Sequence, residues 1–322
     1  MRVAPSIWFY REIPYSPDLP KPLDSSGRRP LPPIQKARHN TDMPPQSHSI
    51  RFVTHDGVEL HCLLWKTPET LEKAAAPPLI LLHGGGANAH WWDHLGSRLA
   101  FRRPVYALDF RGHGDSAYPE TREVGAFNLD LEALLEHLGR HDVDLVGHSL
   151  GAAVALDHAS RFPATRSISL LDLARGSTEG SARRARLALS LRRTYRSRAD
   201  ALDRFRFLPE SSHASEDLRL HIAAHSIRRE PNGRYAYKFD PGWFGLPSRP
   251  RPRLEDIVCP ALLIRGVESQ LLSSEAAAEF VAGLPRGRLV EVPGAGHHVF
   301  LDQPERVFEV LGASFADNPI SA

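Results

Sequence analysis

The sequence has only two cysteines in 322 residues, Cys62 and Cys259, and they lie far apart in apolar surroundings. We interpret both as buried thiols, because an isolated cysteine packs as a small hydrophobe, and this suits a reducing compartment. No run approaches the ~18 apolar residues that a membrane-spanning helix needs. The apolar stretch 7–10 is too short for the core of a signal peptide, since Arg11 and Glu12 follow it at once. These absences predict a cytoplasmic protein without a membrane span.

A large excess of charge of either sign is also missing. The chain has 40 lysines and arginines against 38 aspartates and glutamates, a formal net charge of +2. Such a balance gives no reason to expect nucleic acid or an acidic membrane surface as a partner. The hydrophobic share of 42% and the charged share of 24% are typical of a soluble globular protein. The length suits one large domain, or one domain with an insertion, and the oligomeric state stays open.

Residues 1–48 differ from the rest of the chain. They are dense in proline, contain interspersed arginines and lysines, and show no period of a helix or a strand. Such a stretch buries too little apolar surface to offset its conformational entropy, so we expect a disordered extension. Met43 is the only methionine besides Met1. Translation that begins at Met43 is therefore an open alternative, in which residues 1–42 do not belong to the native protein.

From residue 49 onward, predicted strands and helices alternate. Asp56-Gly57 is a strong turn pair between two strand-like runs and predicts a β-hairpin. Short apolar runs, as expected of strands buried on both faces, alternate with helical patterns, which predicts an α/β fold with a mostly parallel, doubly wound sheet. The predicted strands are 49–54, 58–65, 79–82, 105–108, 143–146, 167–171, 261–264 and 288–292, and the predicted helices are 129–138, 152–162 and 274–284.

The alternation is interrupted at residues 175–245, which we call the cap segment. An arginine-rich helical pattern over 182–201 is followed by a second helical stretch near 215–228. We interpret the segment as a helical cap inserted into a core formed by residues 49–174 and 246–322, where it would roof the active site. Most of its arginines also fit an exposed helix face, and the two interpretations are compatible.

The sequence Gly147-His148-Ser149-Leu150-Gly151 lies directly between a predicted buried strand and a predicted helix. G-x-S-x-G in this position is the nucleophile elbow of a serine hydrolase. The turn is so tight that a side chain at either glycine would clash with neighbouring backbone. Ser149 is thereby held at the carboxyl end of the sheet and at the start of a helix, where negative charge is favoured. We predict that Ser149 is the nucleophile.

A glycine-rich loop, His83-Gly84-Gly85-Gly86, follows another buried strand. Attack on a carbonyl needs two fixed N–H donors for the oxyanion that forms. We predict the backbone N–H groups of Leu150 and Gly85 as these donors, because glycine lets the backbone approach the substrate. A merely flexible loop is the alternative.

A serine nucleophile needs a base within hydrogen-bond reach. The chain has 17 histidines, but His297 follows the last predicted strand in a loop that can reach over the sheet. We predict His297 as the base. The side chain of neighbouring His298 would point elsewhere, and that of His148 flanks the serine instead of facing it.

The acid of the triad is less defined. In this fold the chain order is serine, acid, histidine, and the usual place for the acid is the loop after the penultimate strand. That loop, residues 265–270, contains no aspartate, and Ser269 occupies the position where we would look first. Two candidates remain: Asp172, which ends a predicted strand, and Glu268, one residue early in the usual loop. A triad with neither of them stays open.

Taken together, these motifs resemble the α/β-hydrolase superfamily from about Ser49 to Ala316. The resemblance rests on four segments: the glycine-rich loop at 83–86, DFRGHGDS at 109–116, GHSLG at 147–151 and PGAGHHVFLDQPE at 293–305. It implies an eight-stranded sheet, a helical cap after the sixth strand, and no cofactor. Similar branches with an RGxxS loop take their acid from the end of the sixth strand, which favours Asp172. Because the nucleophile is a serine, epoxide hydrolase and haloalkane dehalogenase chemistry are disfavoured.

We therefore expect a serine hydrolase that cleaves a carboxylic ester, or a related acyl bond, of a small molecule through an acyl-enzyme on Ser149. Three alternatives are kept: a carbon–carbon bond hydrolase, a cofactor-free peroxidase-like or lyase relative, and a non-catalytic ligand-binding protein. The missing aspartate in the 265–270 loop is the one feature that favours the last. The sequence specifies neither substrate nor pathway.

Overall fold

The computed structural model describes residues 45–67, 77–173, 187–209, 213–246 and 250–316. The predicted extension lies outside these ranges except for residues 45–48. Residues 175–186 and 210–212 of the cap segment also lie outside them.

Two sheets are present in the described residues. The main sheet has eight strands in the order β1-β2-β4-β3-β5-β6-β10-β11, and the smaller one has three in the order β7-β9-β8. In the main sheet only the β1–β2 and β2–β4 pairings are antiparallel, which confirms the predicted mostly parallel sheet of eight strands. The strands are β1 Ser47–Val53, β2 Glu59–Trp65, β3 Leu79–Leu82, β4 Val105–Asp109, β5 Asp144–His148, β6 Ser167–Leu171, β7 Thr194–Tyr195, β8 Ile227–Arg229, β9 Tyr235–Tyr237, β10 Ala261–Gly266 and β11 Gly287–Val292.

Helices flank the main sheet. None of those in the described ranges is long and apolar enough to cross a membrane. The α-helices are α1 Asp93–Leu99, α2 Ala126–Leu138, α3 Leu150–Arg161, α4 Arg198–Asp203, α5 Glu216–His225, α6 Ser274–Ala282, α7 Val299–Asp302 and α8 Pro304–Ala316, with 3₁₀ turns at Ala89–Trp92, Pro241–Gly245 and Leu254–Asp256.

Each face of the main sheet has its own hydrophobic core. Alternate residues of β3 show this directly: Ile80 and Leu82 belong to one core, and Leu79 and Leu81 to the other. All four side chains are fully buried. A strand covered on both faces needs apolar residues at every position, which explains why these strands appear in the sequence as continuous apolar runs.

The predicted hairpin forms the antiparallel edge of the sheet. β1 and β2 pair in register from Ser47 opposite Trp65 to Val53 opposite Glu59. Gly57 lies in the turn with φ +80°, in the left-handed region that glycine adopts without steric cost.

The cap segment contains β-structure in addition to the expected helices. Within its predicted helical stretch over 182–201, Thr194 and Tyr195 form strand β7, which pairs antiparallel with β9. The interpretation as helix failed there because the strands are only two or three residues long, too short to show a period of two. The cap segment is joined to the core by backbone hydrogen bonds, including that from Asp240 N–H to the Gly112 carbonyl at 2.7 Å.

Candidate active site

Ser149 lies in the turn between β5 and α3, as the sequence predicts. Its backbone adopts φ +51° and ψ −107°, an unfavourable conformation for a residue with a side chain. The two flanking glycines make the turn possible. A Cβ at Gly147 would lie 2.3 Å from the carbonyl oxygen of Gly151, and one at Gly151 would lie 2.2 Å from that of Leu82. Both contacts involve backbone atoms that cannot move aside.

The turn is anchored to the sheet and opens a helix. The N–H of Ser149 donates to the carbonyl oxygen of Leu171 in β6 at 3.1 Å. Leu150 is the first residue of α3. The first N–H groups of a helix have no partner within it. The N–H of Leu150 is therefore in a position where it can donate to an anionic oxygen beside Ser149.

His297 and Asp172 form a buried pair. Nδ1 of His297 lies 2.7 Å from Oδ1 of Asp172, and the two side chains are 4% and 0% exposed. An ionised carboxylate only accepts hydrogen bonds, so the proton of the imidazole is on Nδ1 and Nε2 is left as the basic nitrogen. This is the tautomer that a general base requires.

Asp172 is held by a set of hydrogen bonds from the neighbouring strand and loop. Oδ1 accepts from the Ser269 hydroxyl at 2.6 Å, and Oδ2 accepts from the Gly266 N–H at 3.2 Å. Its own N–H donates to the carbonyl oxygen of Ile264 at 2.8 Å, and its backbone has φ +46°. The carboxylate is thereby fixed in one orientation.

The structure brings Asp172, and not Glu268, to His297. The carboxylate of Glu268 lies on the surface, 52% exposed, with Oε2 2.8 Å from Nε2 of His213. Ser269, at the position where the sequence shows no aspartate, contacts the same oxygen of Asp172 as His297 does.

The other histidines near the elbow have different partners. Nε2 of His148 donates to the backbone carbonyl of His297 at 3.0 Å, and Nε2 of His298 donates to that of Pro209 at 3.1 Å. Burial lowers the pKa of both imidazoles well below their usual value. His148 directly precedes Ser149, so its hydrogen bond connects the elbow to the loop that contains His297.

The glycine-rich loop packs against the elbow on one side and the cap segment on the other. A Cβ at Gly84 would lie 2.6 Å from Nδ1 of His148, and one at Gly85 would lie 2.7 Å from the ring of Phe244. His83 has a structural place: its Nδ1 donates to the Gly84 carbonyl, and its Nε2 accepts from the backbone N–H of Phe110. Gly85 thus lies where the core packs closely against the cap segment.

The 109–116 loop braces this edge of the sheet. Buried Asp109 accepts from the ring of His61 at 2.7 Å and from the backbone N–H groups of Ala89 and Asp115 at 2.6 and 2.9 Å. Its carboxylate therefore joins three segments.

A cavity lies between the glycine loop and the cap segment. Gly85, Gly86 and Trp91 line it from the core side. The cap segment contributes apolar residues, among them Leu189, Phe205 and Tyr237, and a set of arginines that consists of Arg192, Arg193, Arg204, Arg206 and Arg228. The cavity thus combines apolar walls with strong positive charge next to Gly85.

Sequence reasoning missed the contacts made by Ser269 and the lining of the cavity. The serine lies 97 residues from Asp172 along the chain, and no local pattern links the two. The lone signal was its position in the loop where the acid is usually found. The cavity arginines had no signal that separated them from arginines on an exposed helix face.

The order of the sheet, the strand–turn–helix at Ser149 and the inserted segment after β6 define the α/β-hydrolase fold. The family model described as "Alpha/beta hydrolase family" matches residues 79–310. The chain belongs to this family.

Two known proteins with similar sequence over most of the chain are hydrolases. The chain is 31% identical over 258 residues to 2-(acetamidomethylene)succinate hydrolase of Mesorhizobium japonicum, which covers 74% of this chain and 88% of that one. It is 29% identical over 257 residues to esterase Rv0045c of Mycobacterium tuberculosis, which covers 74% and 82%. These relatives support an enzyme of the hydrolase class.

Solved structures share the fold. The crystal structure of E-2-(acetamidomethylene)succinate hydrolase superimposes with a TM-score of 0.73 at 23% identity, over 84% of this chain and 100% of that one. An α/β hydrolase from Novosphingobium aromaticivorans gives a TM-score of 0.70 at 25% identity, over 84% and 98%.

Proposed function

We propose that this protein is a serine hydrolase that cleaves a carboxylic ester, or a related acyl bond, of a small-molecule substrate. The observation that carries the proposal is the 2.7 Å contact between buried His297 and buried Asp172, in a loop tied to the residue before Ser149. A base with its proton fixed on Nδ1, in a loop bonded to the residue before a serine in a strained turn, fits the arrangement that acyl transfer requires.

The reaction begins when Nε2 of His297 takes the proton of the Ser149 hydroxyl. The serine oxygen attacks the carbonyl carbon, and the N–H groups of Leu150 and Gly85 hold the resulting oxyanion. Asp172 stabilises the imidazolium, which then protonates the leaving group, and an acyl-enzyme remains on Ser149. Water activated by His297 releases the acid and restores the serine.

Two features support Asp172 as the acid and weaken the non-catalytic alternative. That alternative rested on the missing aspartate in the 265–270 loop. Asp172 contacts His297 from the end of β6, and Ser269 completes its hydrogen bonding from the loop itself. The missing aspartate is therefore no sign of a degraded triad.

The cavity supports a substrate with a negatively charged group. Arg192 and Arg228 pair with Glu230, whereas no salt bridge within the described part of the chain joins Arg193, Arg204 or Arg206 to a carboxylate. Arginines that form no salt bridge with a described carboxylate, in a cavity that Gly85 also lines, are suited to bind a carboxylate or phosphate. The relative from Mesorhizobium japonicum is named for a substituted succinate, which is also an anion.

A fluorophosphonate probe tests the catalytic proposal directly. We expect the wild type to be labelled on one serine and to hydrolyse p-nitrophenyl esters, and Ser149→Ala to lose both properties. Ser160→Ala is the matched control, because Ser160 lies on α3 and its hydroxyl donates to the Asp157 carbonyl, one turn earlier in the same helix. A wild type that stays unlabelled, or a Ser149→Ala variant that is still labelled, would overturn the proposal. Carbon–carbon bond hydrolysis would appear as labelling with turnover of a diketone and none of the esters.

A further inference from the structure

Four metal-ligating side chains meet where the cap segment contacts the core, away from Ser149. His90 and Asp93 come from the core, at the 3₁₀ turn Ala89–Trp92 and the first residue of α1. His221 and His225 come from α5 of the cap segment, one helical turn apart and therefore on the same face. The proposed catalytic machinery uses none of the four.

Three of the four side chains, His90, Asp93 and His225, are close enough to share one ion, and the fourth, His221, contacts Asp93. Oδ2 of Asp93 lies 3.0 Å from Nδ1 of His90 and 2.7 Å from Nε2 of His221. The ring of His225 stacks on His90 with centroids 4.2 Å apart and lies 4.5 Å from that of His221. Potential ligand atoms of His90, Asp93 and His225 all lie within 4.8 Å of one another.

Two details of this cluster are typical of metal ligands. Nδ1 of His225 donates to the backbone carbonyl of His221 at 2.9 Å, which leaves Nε2 unprotonated and orients the ring, as metal-bound histidines are oriented by their second nitrogen. Oδ1 of Asp93 is buried and accepts no hydrogen bond from the described residues. A buried carboxylate oxygen without a donor is costly, and a cation bound to this carboxylate would offset part of that cost.

We propose that His90, Asp93, His221 and His225 form a binding site for a divalent transition metal ion of the zinc type, which joins the cap segment to the core. Three imidazoles and one carboxylate suit Zn²⁺ or Co²⁺ in tetrahedral geometry, and they suit Ca²⁺ or Mg²⁺ poorly because those ions prefer oxygen ligands. Zinc–nitrogen bonds of about 2.0–2.1 Å place tetrahedral ligands about 3.3 Å apart. Because the ligand atoms of His90, Asp93 and His225 lie within 4.8 Å of one another, these side chains need to converge by up to about 1.5 Å.

The position of the site means that a bound ion would link the cap segment to the core. Trp91, between two of the cluster's core residues in sequence, lines the cavity. A metal ion that bridges α5 to His90 and Asp93 would hold the cap segment over the cavity.

Cobalt substitution tests the site independently of catalysis. Full-length protein without a polyhistidine tag is treated with chelator, dialysed and titrated with Co²⁺ and, separately, with Zn²⁺ by calorimetry. We expect one equivalent of Co²⁺ to give the visible absorption bands of tetrahedral coordination, and Zn²⁺ to displace it. His225→Gln and Asp93→Asn should each lose the bands and weaken Zn²⁺ binding about tenfold or more.

His213→Gln is the matched control, because His213 is a partly exposed cap-segment histidine that pairs with Glu268 and lies outside the cluster. It should keep the bands and the affinity. Circular dichroism of His225→Gln excludes loss of fold as the cause, and His221→Gln provides a second variant at a partly exposed position. Co²⁺ that gives only octahedral bands, or Zn²⁺ binding unchanged in folded His221→Gln and His225→Gln, would overturn the proposal. Because the readout is spectroscopic, it holds whether or not the protein proves to be an esterase.

Discussion

The hydroxyl of Ser269 donates to Oδ1 of Asp172 at 2.6 Å, and this is the oxygen that also faces His297. Ser269 thus orients the proposed acid, and it does so from the loop in which the acid itself is usually found in this fold. We regard Ser269 as a positioning residue, since its only role toward catalysis is through Asp172.

Ser269→Ala should lower kcat about tenfold with little change in KM, because a hydrogen bond to a charged group contributes roughly 1.5–3 kcal/mol. Ser269→Thr keeps the hydroxyl and should retain most of the wild-type rate. The pH–rate profile of Ser269→Ala should shift, because the Asp172 carboxylate loses a hydrogen bond. Ester kinetics across pH provide the measurement. Equal loss in the alanine and threonine variants would indicate a merely structural role.

Asp172→Asn should reduce kcat by about 10⁴, because an amide can hold the wrong tautomer of His297. Glu268→Gln is the control and should retain wild-type turnover, since its carboxylate is exposed and contacts His213. Steady-state kinetics and fluorophosphonate labelling rates measure both. The assignment of the acid is wrong if the effects of the two variants are reversed.

Gly151→Ala should unfold the protein or cost several kcal/mol, because the added Cβ would meet the Leu82 carbonyl oxygen at 2.2 Å. Gly312→Ala is the matched control. Gly312 lies inside α8, where a Cβ meets nothing within 4 Å, so the same change should stabilise the protein by up to about 1 kcal/mol. Urea denaturation measures the free energy of unfolding of both variants. Similar values for the two would contradict the prediction.

Stability should fall as the pH is lowered from 8 to 5, and His158 should account for part of the loss. Burial lowers the pKa of His158 from 6.5 to about 4, so between these values the unfolded chain binds a proton that the native state does not. The loss from this one group at pH 5 is about 2 kcal/mol. In His158→Phe, the difference in unfolding free energy between pH 8 and pH 5 should shrink by that amount.

His48→Gln is the control for this measurement, because His48 is an exposed residue of β1. It should leave the difference unchanged. Comparing each variant with itself at two pH values removes the packing cost of the phenylalanine. A pH dependence that is the same in His158→Phe and wild type would show that the imidazole is not held neutral.

Arg204→Gln should raise KM for an ester that carries a carboxylate by about tenfold and leave kcat nearly unchanged, because the arginine would contribute binding without contact to the reacting atoms. KM for a neutral ester of similar size should not change. Arg140→Gln, which removes an exposed arginine paired with Asp142, is the control. Equal effects on charged and neutral esters would exclude an anion subsite.

The parts of the fold that sequence reasoning predicted were those encoded locally. The strand–turn–helix around Ser149 is compressed into a few residues, and the apolar runs of β3 and β5 identify strands buried on both faces. His297 could be selected among 17 histidines because the loop after the last strand must reach the active-site edge of the sheet.

What the sequence left open depends on contacts between distant residues. Asp172 and Glu268 both precede His297 in the chain, and both follow strands. Which of them faces the imidazole depends on how β6 pairs with β10 in the sheet. The strands of the cap segment are too short to show a period. His90 and His225 lie 135 positions apart and meet only through the docking of α5.

Ser149 and Asp172 are the non-glycine residues with positive φ in the described part of the chain. The proposed nucleophile and acid are thus the described residues that have a side chain at positive φ, which costs roughly 1–3 kcal/mol at each position. Laboratory evolution for heat resistance alone should therefore favour Ser149→Gly and Asp172→Gly early. The selected variants would be more stable and would lack the proposed activity. Such an experiment must therefore also select for turnover of substrate.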